Sequence, residues 1–220
     1  MPTITLLEFQ KNNQERVNVY LDGEFAFGLN MVDAAALRKG QDLTQTEITE
    51  LRQQDEIARA FETAVNFLSY RPRSTKEIRQ RLNKKAVPDD VIEAVIEKLV
   101  HHDYLDDRVF ARLWIEDRNR FRPRGQRALR YELREKGIAD SVITELLDEM
   151  VDEQSAAYEA AQTRVRRMRG KTQHEFKQKI GSFLQRRGFG YEAINLALDT
   201  LITELNESEP GFFPELDGRN

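Results

Sequence analysis

Two short stretches of this sequence are the best equipped for chemistry. Tyr70-Arg71-Pro72-Arg73 and Phe121-Arg122-Pro123-Arg124 each set an aromatic ring beside two guanidinium groups. Single-strand binders use that pairing to hold phosphates and stack bases. A ring at a helix end can also plug the core of its own bundle, and this second role is the one expected for Tyr70 and Phe121. Further cations follow each stretch: Lys76, Arg79, Lys84 and Lys85, then Arg127, Arg130, Arg134 and Lys136. A third group, Lys177, Lys179, Arg186 and Arg187, has no Arg-Pro-Arg before it. Together they read as a stripe for an extended polyanion or an acidic protein surface. The competing reading is local pairing with carboxylates and helix C-terminal dipoles, which weighs most for Lys85, Lys136 and Arg187.

Other chemistry finds little support. His101-His102-Asp103 with Asp106-Asp107 superficially resembles a metal cluster. The simpler expectation is that Asp106 caps a helix, Asp107 opens it and the histidines end the helix before. No HExxH spacing, phosphate-binding glycine loop or GxSxG elbow is present, and there is no cysteine. The sequence therefore predicts no enzyme, no metal and no cofactor.

The 220 residues carry a net charge of −4, which by itself does not suggest a polyanion binder. The charges are segregated, however. Segments 71–85, 108–136 and 164–187 hold 26 basic and 6 acidic residues, a net +20, while the remainder holds 8 and 32, a net −24. A mean hydropathy of −0.66 with 33% charged residues suits thin helical layers better than one thick core. No apolar run nears the roughly 18 residues that span a bilayer, and Met1-Pro2-Thr3-Ile4-Thr5 is not a signal peptide. A soluble, cytoplasmic monomer is expected.

The elements that would position these cations are mainly helical. Residues 1–30 read as a three-stranded β-meander, with Asp22-Gly23 as its hairpin turn. Met31 to Lys39 reads as a short helix, Thr44 opens another through a capping box, and a separate helical run carries Ile57, Phe61, Ala64, Val65 and Leu68. The first two are linking helices, assigned to 31–55.

An ungapped internal repeat follows. At a shift of 51 residues, Ile78, Leu82, Ala86, Val87, Val91, Ile92, Val95, Ile96 and Leu99 fall on Leu129, Leu133, Gly137, Ile138, Val142, Ile143, Leu146, Leu147 and Met150. A second shift brings them to Ile180, Leu184, Gly188, Phe189, Ala193, Ile194, Ala197, Leu198 and Leu201. Three tandem three-helix repeats in an elongated arrangement are predicted, at 56–105, 106–153 and 154–206. Within them, the basic second helices would be capped by Ser74 and Thr172 and would end at Ala86, Gly137 and Gly188 in left-handed conformation. Asp89 and Asp140 would cap the acidic third helices, Trp114 would join a core, and 207–220 would be a disordered tail.

At several of these residues the chain resembles a known family. Tyr70-Arg71-Pro72-Arg73-Ser74 with Glu77, Ile78 and Leu82; Tyr104-Leu105-Asp106-Asp107 with Phe110, Ala111, Trp114 and Arg118; and Gly125, Leu129, Leu133 and Lys136-Gly137-Ile138 are similar to the RecX regulatory proteins. The hairpin Tyr20-Leu21-Asp22-Gly23-Glu24-Phe25 is similar to their longer members. The resemblance implies a non-enzymatic modulator of the RecA recombinase that binds along the RecA–single-stranded DNA filament and limits its growth. ATPase, strand-exchange and co-protease activities would fall, placing the chain in DNA repair, recombination and the SOS response. Asp103 departs from the family pattern, which has glycine there, and the third repeat has Gln173-His174-Glu175 in place of Arg-Pro-Arg. Other readings stay open: a sequence-specific duplex binder of helix-turn-helix type, a nucleic-acid enzyme, or a structural adaptor indifferent to the stripe.

Overall fold

The computed structural model describes residues 1–11 and 13–214. The chain divides into two compact units, Met1–Asp106 and Asp107–Asn220. The first opens with the antiparallel meander β1 (Ile4–Gln10), β2 (Asn13–Leu21) and β3 (Glu24–Asn30), paired in chain order. Asp22 and Gly23 have φ of 50° and 93°, the left-handed pair that an Asp-Gly hairpin requires. Ile4, Val17, Val19, Phe27 and Leu29 form its buried face, packed with Leu43 and Ile48 from beyond the sheet. Three short strands are marginal alone, and this helix-backed face supplies their stability.

The expected helix from Met31 to Lys39 is only one turn, α1 (Met31–Ala34). The chain then leaves helical geometry to cover the open edge of β1. Gly40 N–H donates to Ile4 O at 2.8 Å, Ile4 N–H to Gln41 O at 2.8 Å, and Leu43 N–H to Pro2 O at 3.0 Å. Satisfying edge backbone groups outweighs extending a short helix.

The two expected helical runs that follow are one 24-residue helix, α2 (Gln45–Leu68), opened by the Thr44 capping box. Arg52-Gln53-Gln54-Asp55-Glu56 contains no breaker, so helix propagation continues through it. Asp55, mid-helix and buried, binds Arg16 of β2 at 2.7 Å and ties the sheet to α2. The C-terminal part of α2 then packs with α3 (Thr75–Asn83) and α4 (Asp89–His101) around Ile78, Leu82, Ile92, Val95 and Leu99.

In the second unit, α5 (Asp107–Phe121), α6 (Gln126–Glu135) and α7 (Asp140–Met150) enclose Phe110, Ile115, Leu129, Leu133 and Leu146. The next bundle comprises α8 (Glu153–Val165), a 3-10 turn at Arg166–Met168, α9 (Gln173–Arg186) and α10 (Tyr191–Ser208). Eight of the nine repeated positions line the three cores. The ninth is Ala86, Gly137 or Gly188, with φ of 57°, 84° and 83°. Each residue closes helix two by turning left-handed.

Several local expectations change. Asp89 and Asp140 are the first residues of α4 and α7, whose caps are Pro88 and Ala139 without side-chain bonds. Their negative charge still complements the helix N-termini. Ser74 and Thr172 do form capping boxes, but they are not equivalent in the 51-residue register. Helix α9 begins one turn early, and its residues 173–175 stand where the first two repeats carry Arg-Pro-Arg. Asp103, the departure from the family pattern, has φ of 58°, so the turn after α4 is one that glycine would fill without strain.

The tail is ordered further than expected. Phe212 and Phe213 are buried against Phe176, with ring centroids 6.5 Å and 5.4 Å away. They complete the third core. The composition of 207–220, with Ser208, Pro210, Gly211 and Pro214, suggested a disordered end. Residues 215–220 of that segment lie outside the described residues.

Candidate partner-binding surface

The stripe residues follow from the packing of the second helices. With Ile78 and Leu82 turned into the first core, the other positions of α3 face outward. Arg79 pairs with Glu93 of α4, which draws the carboxyl below its ordinary pKa of 4.5. Arg71 binds Glu77 at 2.8 Å, the same carboxylate that closes the α3 capping box. Arg73 lies flat on Phe67, 3.8 Å from the ring centroid, and burial lowers its proton affinity, with Arg71 adding repulsion. Lys76, Lys84 and Lys85 are exposed and make no ion pair among the described residues. In this repeat, local pairing accounts for the arginines and leaves the lysines open.

A helix-two cation also meets a helix-three carboxylate in each later repeat, at other positions of the register. Arg134 binds Asp140 at 2.6 Å, which raises the arginine's pKa and lowers the aspartate's below 3.8. Lys177 binds Asp199 at 2.8 Å. Lys179 is exposed without an ion pair among the described residues.

The difference lies in what surrounds α6. Its cationic face lines a groove of about 560 Å3 with the end of α9. Arg124, Arg127, Arg130, Arg134 and Arg186 converge there around Tyr131, whose ring is 67% exposed. Arg124 is held by Glu132 at 3.0 Å and Arg130 by the Thr144 hydroxyl at 2.8 Å, while Arg127 and Arg186 have no ion pair among the described residues. Glycine makes the close approach of α6 to α9 possible. Gly125 N–H donates to Arg187 O at 3.1 Å, and a Cβ on Gly125 would lie 2.2 Å from Gly188 O.

Beside the groove, Glu132 accepts from Trp114 Nε1 at 2.8 Å and Arg118 Nε at 2.9 Å. Lys136 lies over the Trp114 ring at 4.9 Å. Trp114 therefore packs against the second core, as expected, but its indole N–H is committed to this charged network. Arg187 donates to Pro123 O at 3.1 Å. Burial, then Arg124, Arg164 and Arg122, lower its proton affinity. Arg122 is exposed.

Tyr70 and Phe121 do not plug cores. They are 84% and 67% exposed. Phe67 takes the inward place in the first bundle, and Phe121 is the last residue of α5, beyond the reach of the second core. Both Arg-Pro-Arg elements thus present an exposed ring beside guanidinium groups, with Arg120 already 5.1 Å from the centroid of Phe121, and such rings can stack on planar groups. Tyr131 was not anticipated. It falls four residues after Arg127 and three before Arg134, so helical spacing places it on their face.

His101 ends α4 and His102 caps it, with the His102 ring 6.4 Å from Phe61 and 6.3 Å from Tyr104. Among the described residues no three His, Cys, Asp or Glu side chains are grouped to hold a metal, and no helix is long and apolar enough to cross a membrane.

Most of the chain is similar to known proteins. Residues 2–44 match the regulatory protein RecX N-terminal domain, and 60–99, 106–147 and 152–198 match the first, second and third three-helix domains of RecX. A regulatory protein RecX of Bacillus pumilus is 37% identical over 90% of this chain and 77% of its own length. The RecX of Bacillus subtilis is 35% identical over 94% of this chain and 80% of its own. A crystal structure of regulatory protein RecX superposes with a TM-score of 0.75 at 27% identity, covering 90% of this chain and 100% of the other.

Proposed function

The chain belongs to the RecX family of regulatory proteins, and from that premise we propose that it modulates the RecA recombinase by binding the RecA–single-stranded DNA filament. Binding limits filament growth and so lowers ATP hydrolysis, strand exchange and co-protease activity. The protein acts in the cytoplasm as a monomer and without catalysis, in DNA repair, recombination and the SOS response. The observation that carries this reading is the α6–α9 groove, where five arginines surround one exposed tyrosine. Such a groove can neutralise phosphates and offer a ring to a base without reading sequence. The exposed lysines Lys76, Lys84 and Lys85 on and just after α3, and the exposed rings of Tyr70 and Phe121, offer further contacts to strand or filament.

The test is single-stranded-DNA-dependent ATP hydrolysis by RecA, titrated with this protein below one copy per recombinase monomer. Wild type should inhibit. Arg127→Glu with Arg186→Glu should require at least about tenfold more protein, because among the described residues these two guanidiniums have no ion pair to retain them. They are better probes than Arg134, whose reversal would also break its pair with Asp140. Unchanged inhibition by the double variant would refute the groove's role. No inhibition by wild type, with selective binding to one duplex sequence, would instead identify a helix-turn-helix regulator.

A further inference from the structure

Four arginines gather where the second helical repeat passes into the third. Arg122 and Arg124 flank Pro123 in the α5–α6 connection, Arg164 comes from α8, and Arg187 caps α9. Arg164 and Arg187 place their guanidiniums 4.9 Å and 4.7 Å from the centroid of one ring, Phe183. Arg187 is further fixed by its bond to Pro123 O at 3.1 Å, while its own carbonyl accepts from Gly125 N–H at 3.1 Å. Arg164 and Arg187 are thus built into the joint, and Arg122 stands exposed beside them.

Its charge is poorly compensated. Glu132 binds Arg124 but is shared with Arg118 and Trp114. The nearby Glu153 accepts from the backbone N–H groups of Gln126 and Gly190, at 3.1 Å and 3.2 Å. Arg122 and Arg164 have no carboxylate partner among the described residues. Burial first, and then repulsion from Arg124, Arg164 and Arg122, lowers the proton affinity of Arg187. An anion that several planar donors can share would relieve this repulsion, and a phosphate's tetrahedral oxygens accept from guanidiniums arriving in different planes.

We propose that the cluster formed by Arg122, Arg124, Arg164 and Arg187 is a phosphate-binding site whose occupant fastens the second helical repeat to the third. The site shares Arg124 with the groove but stands without the RecA reading, since Arg122, Arg164 and Arg187 belong to the joint alone. Its ligand chemistry is a phosphate group, either free in solution or within a nucleic-acid backbone.

Isothermal titration of the full chain with inorganic pyrophosphate at fixed ionic strength tests the proposal. Wild type should bind one equivalent. Arg122→Gln with Arg164→Gln, two residues outside the cores, should weaken binding at least about tenfold, whereas Arg127→Gln with Arg186→Gln should leave it unchanged. Should the first double variant lose helicity, Arg122→Gln alone, in an exposed connection, serves in its place. Competition by an oligodeoxythymidylate would identify the strand backbone as the source, and its failure to compete would identify free phosphates. Pyrophosphate should also raise the urea midpoint read from Trp114 fluorescence in wild type and not in the variant. Absence of binding, equal binding by wild type and the Arg122/Arg164 variant, or an unmoved midpoint would overturn the proposal.

Discussion

Replacing Gly125 with alanine should cost far more than one methyl group suggests. Gly125 caps α6 with φ of −71° and ψ of 159°, a conformation any residue adopts, so no backbone strain is involved. The cost is steric. The new Cβ would lie 2.2 Å from Gly188 O and 2.3 Å from Phe189 N, both backbone atoms that no rotamer change can clear. The two segments must separate by about 1 Å to restore ordinary contact. That movement breaks the Gly125 N–H to Arg187 O bond, worth about 1 kcal/mol, and disturbs packing by about 1–3 kcal/mol. A loss of about 2–4 kcal/mol is expected. Gly170→Ala is the control: its φ is +75° with nothing within 4 Å, so left-handed strain of about 1–2 kcal/mol is the whole penalty. Urea denaturation followed by circular dichroism and by the single tryptophan, Trp114, measures both. A Gly125→Ala loss below about 1 kcal/mol, or no larger than the control's, would show that the joint yields and that the steric reasoning is wrong.

Three other outcomes follow from the same structure. Tyr70→Ser with Phe121→Ser should alter stability by less than about 0.5 kcal/mol per site, since both rings are exposed, yet weaken inhibition of RecA; an intact inhibitory titration would remove these rings from the interface. Phe213→Ala should cost about 3–5 kcal/mol in thermal or urea unfolding, and a near-neutral result would detach 209–214 from the third core. Glu47 and Glu175 are held below their ordinary pKa of 4.5 chiefly by backbone N–H groups of Thr44 and Thr172. Their stabilisation is therefore complete above that value and lost as pH falls through the lowered one; Glu47→Gln with Glu175→Gln, which keeps the cap acceptors, should flatten the acid unfolding that sets in below the ordinary carboxylate value.

The repeat was the most legible feature because core positions recur only when the same helices bury the same faces. Its shift located all three cores and the left-handed helix ends at once. The Asp22-Gly23 hairpin was equally legible, since its turn chemistry is local. What failed depended on longer-range competition. Residues 35–39 carry a helical pattern, but the residues just after them, Gly40, Gln41 and Leu43, are claimed by the unpaired edge of β1. Tyr70 and Phe121 sit at helix ends, where one residue of phase decides between core and solvent. At the candidate site, composition marked α6 as cationic, yet only folding shows that Gly125 and Gly188 let Arg186 join it. Nor could spacing reveal that Arg134 would be paired while Arg127 stayed open.

The constant 51-residue register also has a genealogical consequence. Because eight equivalent positions in each bundle point inward and the ninth always turns the chain, a cut in one repeat can be joined to the same position in the next without shifting any core residue. Joining Val95 directly to Leu147, for example, would run the inward positions of α4 straight into those of α7. Ancestors and relatives of such a chain can therefore gain or lose whole bundles by unequal exchange in steps of 51 residues, whereas smaller insertions are confined to the connections between helices.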